Sequence, residues 1–261
     1  MKPTRMVLLL AFAALLPGCA PRENEGVQKQ DLLASVGNDY KNFYSRNNAK
    51  YLIIGFAGGG ILANTNADQD VNNWYQENQR SADSDRYAKL AKKLGDGMIT
   101  VPVSLAGFAL GQVSDKEPLH TIGEWGGRTA RAYAVGRPFM LGAQYTIDGS
   151  RPTEPEGSRW RPFKDNNGIS GHTFAGSVPF MTAATMTDSV PLKVACYGGS
   201  TLAGWSRIND RGHYFSQVFL GWWIGYLAVR SVDKTQADWR KMQVVPMVDD
   251  DFAGVGIHMG F

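Results

Sequence analysis

Two short segments, Ser206-Arg207-Ile208-Asn209-Asp210-Arg211-Gly212-His213 and the upstream Ile169-Ser170-Gly171-His172, each place a histidine beside groups suited to anions. In the first, a guanidinium offers a planar fork that can hold two phosphate oxygens at once. In the second, small residues stand just before an apolar run, at the expected N-terminus of a helix, where backbone N–H groups favour an anion. Two histidines around one oxyanion pocket can divide the work of phosphoryl transfer. One attacks phosphorus and the other protonates the departing oxygen. His120 and His258 have no HxxxH or HxH partner, and nothing in the pattern calls for a metal or another cofactor.

These segments resemble the type 2 phosphatidic acid phosphatase (PAP2) superfamily, which includes bacterial class A acid phosphatases and vanadium haloperoxidases. The family pattern is K-x6-R-P, then P-S-G-H, then S-R-x5-H-x3-D. The second part is matched by Ser170-Gly171-His172, with Ile169 where proline is usual. The third is matched by Ser206-Arg207 and His213, with Gln217 at the aspartate position. Order and spacing agree, and the resemblance covers residues from about 50 to 230.

The first part has three possible registers, because Arg137-Pro138, Arg151-Pro152 and Arg161-Pro162 all occur. In the family the lysine lies late on a helix and Arg-Pro follows its end. Asp148-Gly149-Ser150 is a good helix stop after the apolar stretch 139–147, so Gln144 and Arg151 are the expected equivalents. Glutamine can donate to a phosphate but cannot neutralise it. Arg137, two helical turns before Gln144 and on roughly the same face, could supply part of the missing charge.

The resemblance implies that His213 forms a phosphohistidine and that His172 is the acid for the leaving alkoxide, then the base for water. Arg151, Gln144, Ser170, Gly171 and Arg207 would hold the non-bridging oxygens, Gly171 because a side chain would obstruct the backbone's approach. Gln217, four residues from His213 and on the same helical face, can still accept from the histidine ring, though without the charge of an aspartate. The implied activity is hydrolysis of a phosphate monoester or a lipid (pyro)phosphate. Two alternatives follow from the same residues: a vanadate-dependent haloperoxidase, and a non-catalytic lipoprotein that binds a phosphorylated ligand. The absent lysine and aspartate favour the latter.

The beginning of the chain has the form of a targeting segment. Lys2 and Arg5 precede the apolar stretch 6–16, and Leu16-Pro17-Gly18-Cys19 resembles the cleavage motif of a bacterial lipoprotein. The expected organisation is a leader over 1–18, lipidation at Cys19, a polar tether over 19–29 and one domain over 30–261. Ala20 after the cysteine points to the periplasm-facing outer membrane. Lys and Arg number 27 against 24 Asp and Glu. With Lys2 and Arg5 in the leader the mature charge is close to neutral, which argues against a nucleic-acid partner. The sole cysteine after Cys19, Cys196, reads as a small core residue.

The elements that must position these groups are helices. Periodicity of 3.6 residues dominates from about 30 to 231, and most apolar runs are shorter than a bilayer span requires. The expected fold is all-α, a single helical bundle of the acid phosphatase type with a short C-terminal β-hairpin from about residue 244. Arg128, Arg131 and Arg137 read as a solvated helix face. Trp205, Trp222 and Trp223 read as packing residues, and the segment around Trp74-Tyr75 as an interhelical contact.

Overall fold

The structure is a computed structural model that describes residues 32–113, 116–249 and 252–259, with side chains up to residue 238. The leader, Cys19, the tether and the His258 side chain lie outside the described residues. The fold is all-helical. In chain order the helices are α1 Leu32–Phe43, α2 Arg46–Asn64, α3 Ala67–Asn78, α4 Ala82–Leu94, α5 Gly97–Gln112, α6 Leu119–Ile147, α7 Gly171–Thr185, α8 Val190–Asn209 and α9 Phe215–Lys241. After α9 the backbone of Met242–Asp249 pairs antiparallel with that of Phe252–Met259. Among the described residues no single helix is long and apolar enough to cross a membrane, although the bent pair α4 and α5 passes that test together.

α9 is the central strut. At 27 residues it is about 40 Å long, and it packs against α1, α2, α6, α7 and α8. Its apolar side carries Leu220, Ile224 and Leu227, none of them exposed, into a core shared with Phe43, Val135, Phe174 and Val178. A second cluster joins Trp125 of α6 to Ala183, Ala184 and Cys196. The tryptophans pack and hydrogen-bond between helices: Trp223 donates to the Tyr51 carbonyl and Trp222 to the Ser200 hydroxyl, each at 2.9 Å.

The basic face expected on α6 is a correction. Arg128 and Arg131 are buried, and only Arg137 is exposed. Arg131 makes a bidentate pair with Asp39 of α1, at 2.7 Å on both arms, and reaches Gln236 of α9 at 3.1 Å. Arg128 pairs with Glu124 one turn earlier. A buried guanidinium needs such partners, because isolating the charge from water is costly. The partner carboxylate comes from a helix about ninety residues away in sequence.

Two loops carry the site. The first, between α6 and α7, is organised by Asp148. It is fully buried, and its carboxylate accepts from the backbone N–H groups of Gly149, Lys164 and Asp165. The second is the tight connection from α8 to α9. Gly212 and His213 both donate through their backbone N–H to the Arg207 carbonyl, at 2.8 and 3.2 Å.

Candidate active site

His213 sits just before α9, is 7 % exposed, and lies under a fixed hydrogen-bond pattern. Its Nδ1 is 2.9 Å from Gln217 Oε1, which also accepts the Tyr214 backbone N–H at 3.0 Å. The other end of that amide donates to the Ser150 carbonyl at 2.9 Å. The two backbone partners therefore decide which end of the glutamine is oxygen, and that oxygen can only receive a proton from the ring. His213 is thus held as the Nδ1–H tautomer, with Nε2 carrying the lone pair. Burial first, then the charges of Arg207, Arg151 and His172, lowers its pKa to about 3, against the opposing pull of Gln217. At ordinary pH the ring is neutral and can act as a nucleophile.

Three features hold this histidine in place. Asp68 at the start of α3 caps the first turn of α9, its carboxylate accepting from the Ser216 N–H at 2.9 Å and from the Ser216 hydroxyl at 2.5 Å. Tyr214 donates through its hydroxyl to Gln69 at 2.9 Å. Gly149, at φ 154°, lies over the Gln217 amide, where a Cβ would come within 3.2 Å of Nε2. Asp68 and Gln69 were not legible as site-supporting residues, because their partners lie about 145 residues further along the chain.

The Ser170-Gly171-His172 segment does open a helix. Ser170 is the N-cap of α7, its hydroxyl oxygen accepting from the Thr173 N–H at 3.3 Å and the Thr173 hydroxyl at 2.9 Å. Capping uses its oxygen as acceptor, and the expected hold on a ligand would use its O–H as donor. The first N–H groups of the helix, at Gly171 and His172, stay outside the intrahelical ladder. The Ser170 N–H itself donates to the Gln217 carbonyl at 2.9 Å, which ties the start of α7 to the first turn of α9. A Cβ at Gly171 would meet only the Met140 methyl, at 3.9 Å, so no internal packing demands glycine there.

Arg207 stands at the end of α8, 8 % exposed, and its guanidinium lies directly over Gly212. A Cβ at Gly212 would be 1.9 Å from Nη2, so only glycine permits this approach. Asp210 is 3.8 Å from Nη1, too far for a hydrogen bond, and both Nε and Nη1 are buried with no hydrogen-bond partner among the described residues. Burial and the Arg151 charge both weaken its hold on its proton. Arg151 is oriented by Asn167, which accepts from Nε at 3.0 Å, and its charge acts on His172, His213 and Arg207 alike.

Of the Arg-Pro pairs, Arg137-Pro138 lies inside α6, while Arg151-Pro152 follows its end at Ile147. Arg161 donates to the Ser150 hydroxyl at 2.5 Å and lines a different cleft, of about 720 Å³, with Glu154, Glu156, Lys164 and Asp165. That cleft contains neither histidine, so the larger void and the chemistry do not coincide. Gln144 is occupied elsewhere: its amide donates to the Asn166 carbonyl on the outer side of the loop. Arg137 is near Gly97 and Tyr133 and is not among the charges acting on either histidine. The additional cation that does act on His172 is Lys92 of α4, which the helical pattern concealed as an ordinary basic end of a helix.

His172 is half-buried and faces an open cleft of about 550 Å³, lined also by Arg80, Lys89, Lys92, Lys93, Asp96 and Asp210. Its pKa is lowered, chiefly by burial and then by Arg207 and Lys92, with Asp96 opposing. His172, His213, Arg151 and Arg207 therefore act on one another electrostatically, with Arg207 and His213 buried and His172 facing the cleft. Among the described residues no group of His, Cys, Asp and Glu could hold a metal ion.

Residues 129–240, from within α6 to near the end of α9, match the PAP2 superfamily, whose members are generally phosphatases. No curated protein and no solved structure matches the chain.

Proposed function

We propose that this protein is a metal-independent phosphatase that hydrolyses a phosphate monoester or a lipid (pyro)phosphate through a phosphohistidine. The observation that carries the reading is the pairing of Arg207, buried with two unpartnered N–H groups, and His213, held neutral with its Nε2 available. A buried cation that feels a second cation is unfavourable until an anion lies beside it. A phosphoryl group is such an anion, and its trigonal oxygens suit the guanidinium fork.

In the first step Nε2 of His213 attacks phosphorus, an N–P bond forms, and the ester P–O bond breaks as His172 gives its proton to the leaving oxygen. Gln217 keeps the Nδ1 proton in place while positive charge develops on the ring. Arg207 and Arg151, with the first N–H groups of α7, take up the charge on the non-bridging oxygens. In the second step His172 removes a proton from water, the water oxygen attacks phosphorus, and the N–P bond breaks to restore His213. The proposed setting is the periplasmic face of a bacterial outer membrane, reached through acylation of Cys19.

The test is release of phosphate from a panel of soluble and lipid phosphates by the protein without its leader, beside a folded His213→Ala variant. Turnover above that control, with a phosphorus signal of phosphohistidine in acid-free quench, is the expected result. Equal rates for the two proteins on every substrate would refute the reading and leave a phosphate-binding lipoprotein in its place.

A further inference from the structure

The cations around His172 exceed what the transferring phosphoryl group needs. Lys89, Lys92 and Lys93 share one face of α4, at spacings of three and four residues. Like charges at that spacing repel. The helix C-terminus offsets part of the cost for the last-turn pair, Lys92 and Lys93, but Lys89 lies a turn earlier. Among the described residues none of the three has a carboxylate within 4 Å. The neighbouring charges are already engaged. Arg80 is gripped by Asp85 at 2.9 and 3.3 Å and by Gln76 at 3.0 Å, and Asp96 caps α5 through the Met98 N–H at 2.9 Å.

α4 is also firmly placed. Asn209, at the end of α8 and fully buried, donates to Asp85 at 2.8 Å and accepts from Ser84 at 2.8 Å and from Tyr75 at 3.1 Å. Trp205 donates to the same Tyr75 hydroxyl at 2.7 Å. This network pins the lysine-bearing helix to the helix that carries Arg207. Arg207 and His213 are buried, whereas His172 opens into the lysine-lined cleft. The oxygen that His172 protonates therefore departs into that cleft.

We propose that the cleft is a second anion subsite on the leaving-group side, and that the protein takes phosphoryl substrates whose leaving group itself bears a phosphate. The assignment of a leaving-group side rests on the phosphatase reading above. The subsite as an anion-binding place does not. Lys89 and Lys93 are its principal contacts, and Lys92 serves both this subsite and His172.

The experiment has a binding arm and a turnover arm. Inorganic phosphate and inorganic pyrophosphate are titrated calorimetrically into the leaderless His213→Ala protein, with and without Lys89→Gln and Lys93→Gln. Pyrophosphate is expected to bind about tenfold or more tighter than phosphate, the scale of a charge-assisted contact, and the lysine changes should remove that margin. In the turnover arm, protein with His213 intact is compared for kcat/KM on para-nitrophenyl phosphate, on pyrophosphate in solution and on an alkyl diphosphate in phosphatidylcholine vesicles. The Lys89→Gln/Lys93→Gln change should lower the diphosphate-to-monoester ratio about tenfold or more, and the diphosphate form that shows the drop identifies a soluble or a lipid-borne source. A lysine-dependent preference in binding without any turnover supports the subsite and removes the phosphatase reading. Brisk monoester hydrolysis, with equal binding of phosphate and pyrophosphate whichever residues stand at 89 and 93, overturns the subsite and leaves the phosphatase reading intact.

Discussion

Gln217 accepts the Nδ1 proton of His213 at 2.9 Å, and the same side chain donates to the Ser150 carbonyl from its other end. An aspartate could serve the first contact with a full charge but could not serve the second. The glutamine thus fixes both the tautomer of the histidine and the position of the loop after α6. In exchange it offers no counter-charge to a ring that becomes positive in the proposed phosphoryl transfer.

Gln217→Asp is expected to raise the pKa of His213 above about 3 and to increase kcat about fivefold or more, as a charge-assisted hydrogen bond strengthens on a ring that becomes positive. The same change leaves the Ser150 carbonyl unpaired and should lower stability by about 1–3 kcal/mol. Steady-state rates and urea unfolding of one preparation check both halves. A folded variant no faster at any pH would show that the glutamine is itself a working part.

Gly212→Ala is expected to act on Arg207 at a distance of one side chain. The new Cβ would occupy the place of Nη2, which stands 1.9 Å from it, so the guanidinium must swing away. Turnover should fall on the order of a hundredfold, as when one stabilising donor is lost from an oxyanion site. Kinetics of the variant beside Arg207→Ala, with circular dichroism to establish folding, decide it: similar losses are expected.

The pH profile should have its optimum on the acid side of 6.5. His172 must carry a proton to act on the leaving group, and burial together with Arg207 and Lys92 lowers its pKa. Rising pH removes that proton, so kcat/KM should decline through the lowered pKa. Lys92→Met takes away one repelling charge, raises the pKa, and should move the declining limb to higher pH on the same substrate. An unmoved limb would disconnect Lys92 from His172.

Asp39→Ala is expected to destabilise the fold by about 3–5 kcal/mol, because it strands the buried Arg131 guanidinium. Pairing it with Arg131→Met should recover most of the loss, since the unpaired charge goes with the arginine. Denaturant unfolding of the two single variants and the double variant measures the coupling. Neither change touches the two histidines.

Much of the candidate site's local geometry was written in local pattern. The Ser170-Gly171-His172 helix start, the Arg207-to-His213 spacing, the i, i+4 relation of His213 and Gln217, and the helix stop at Asp148 all depend on residues a few positions apart, where propensity and periodicity act. The helical class followed for the same reason. What only the tertiary structure decided are the partners drawn from distant helices: Asp39 burying the charge of Arg131, Asp68 capping α9, Asn209 pinning α4, and Lys92 arriving beside His172 in place of Arg137. Gln144 went to a loop contact for a like reason. A buried donor or acceptor must be satisfied by whatever group packing brings near it. A single sequence shows which residues need a partner; the packing of α1, α3 and α4 against α6, α8 and α9 determines which one they receive.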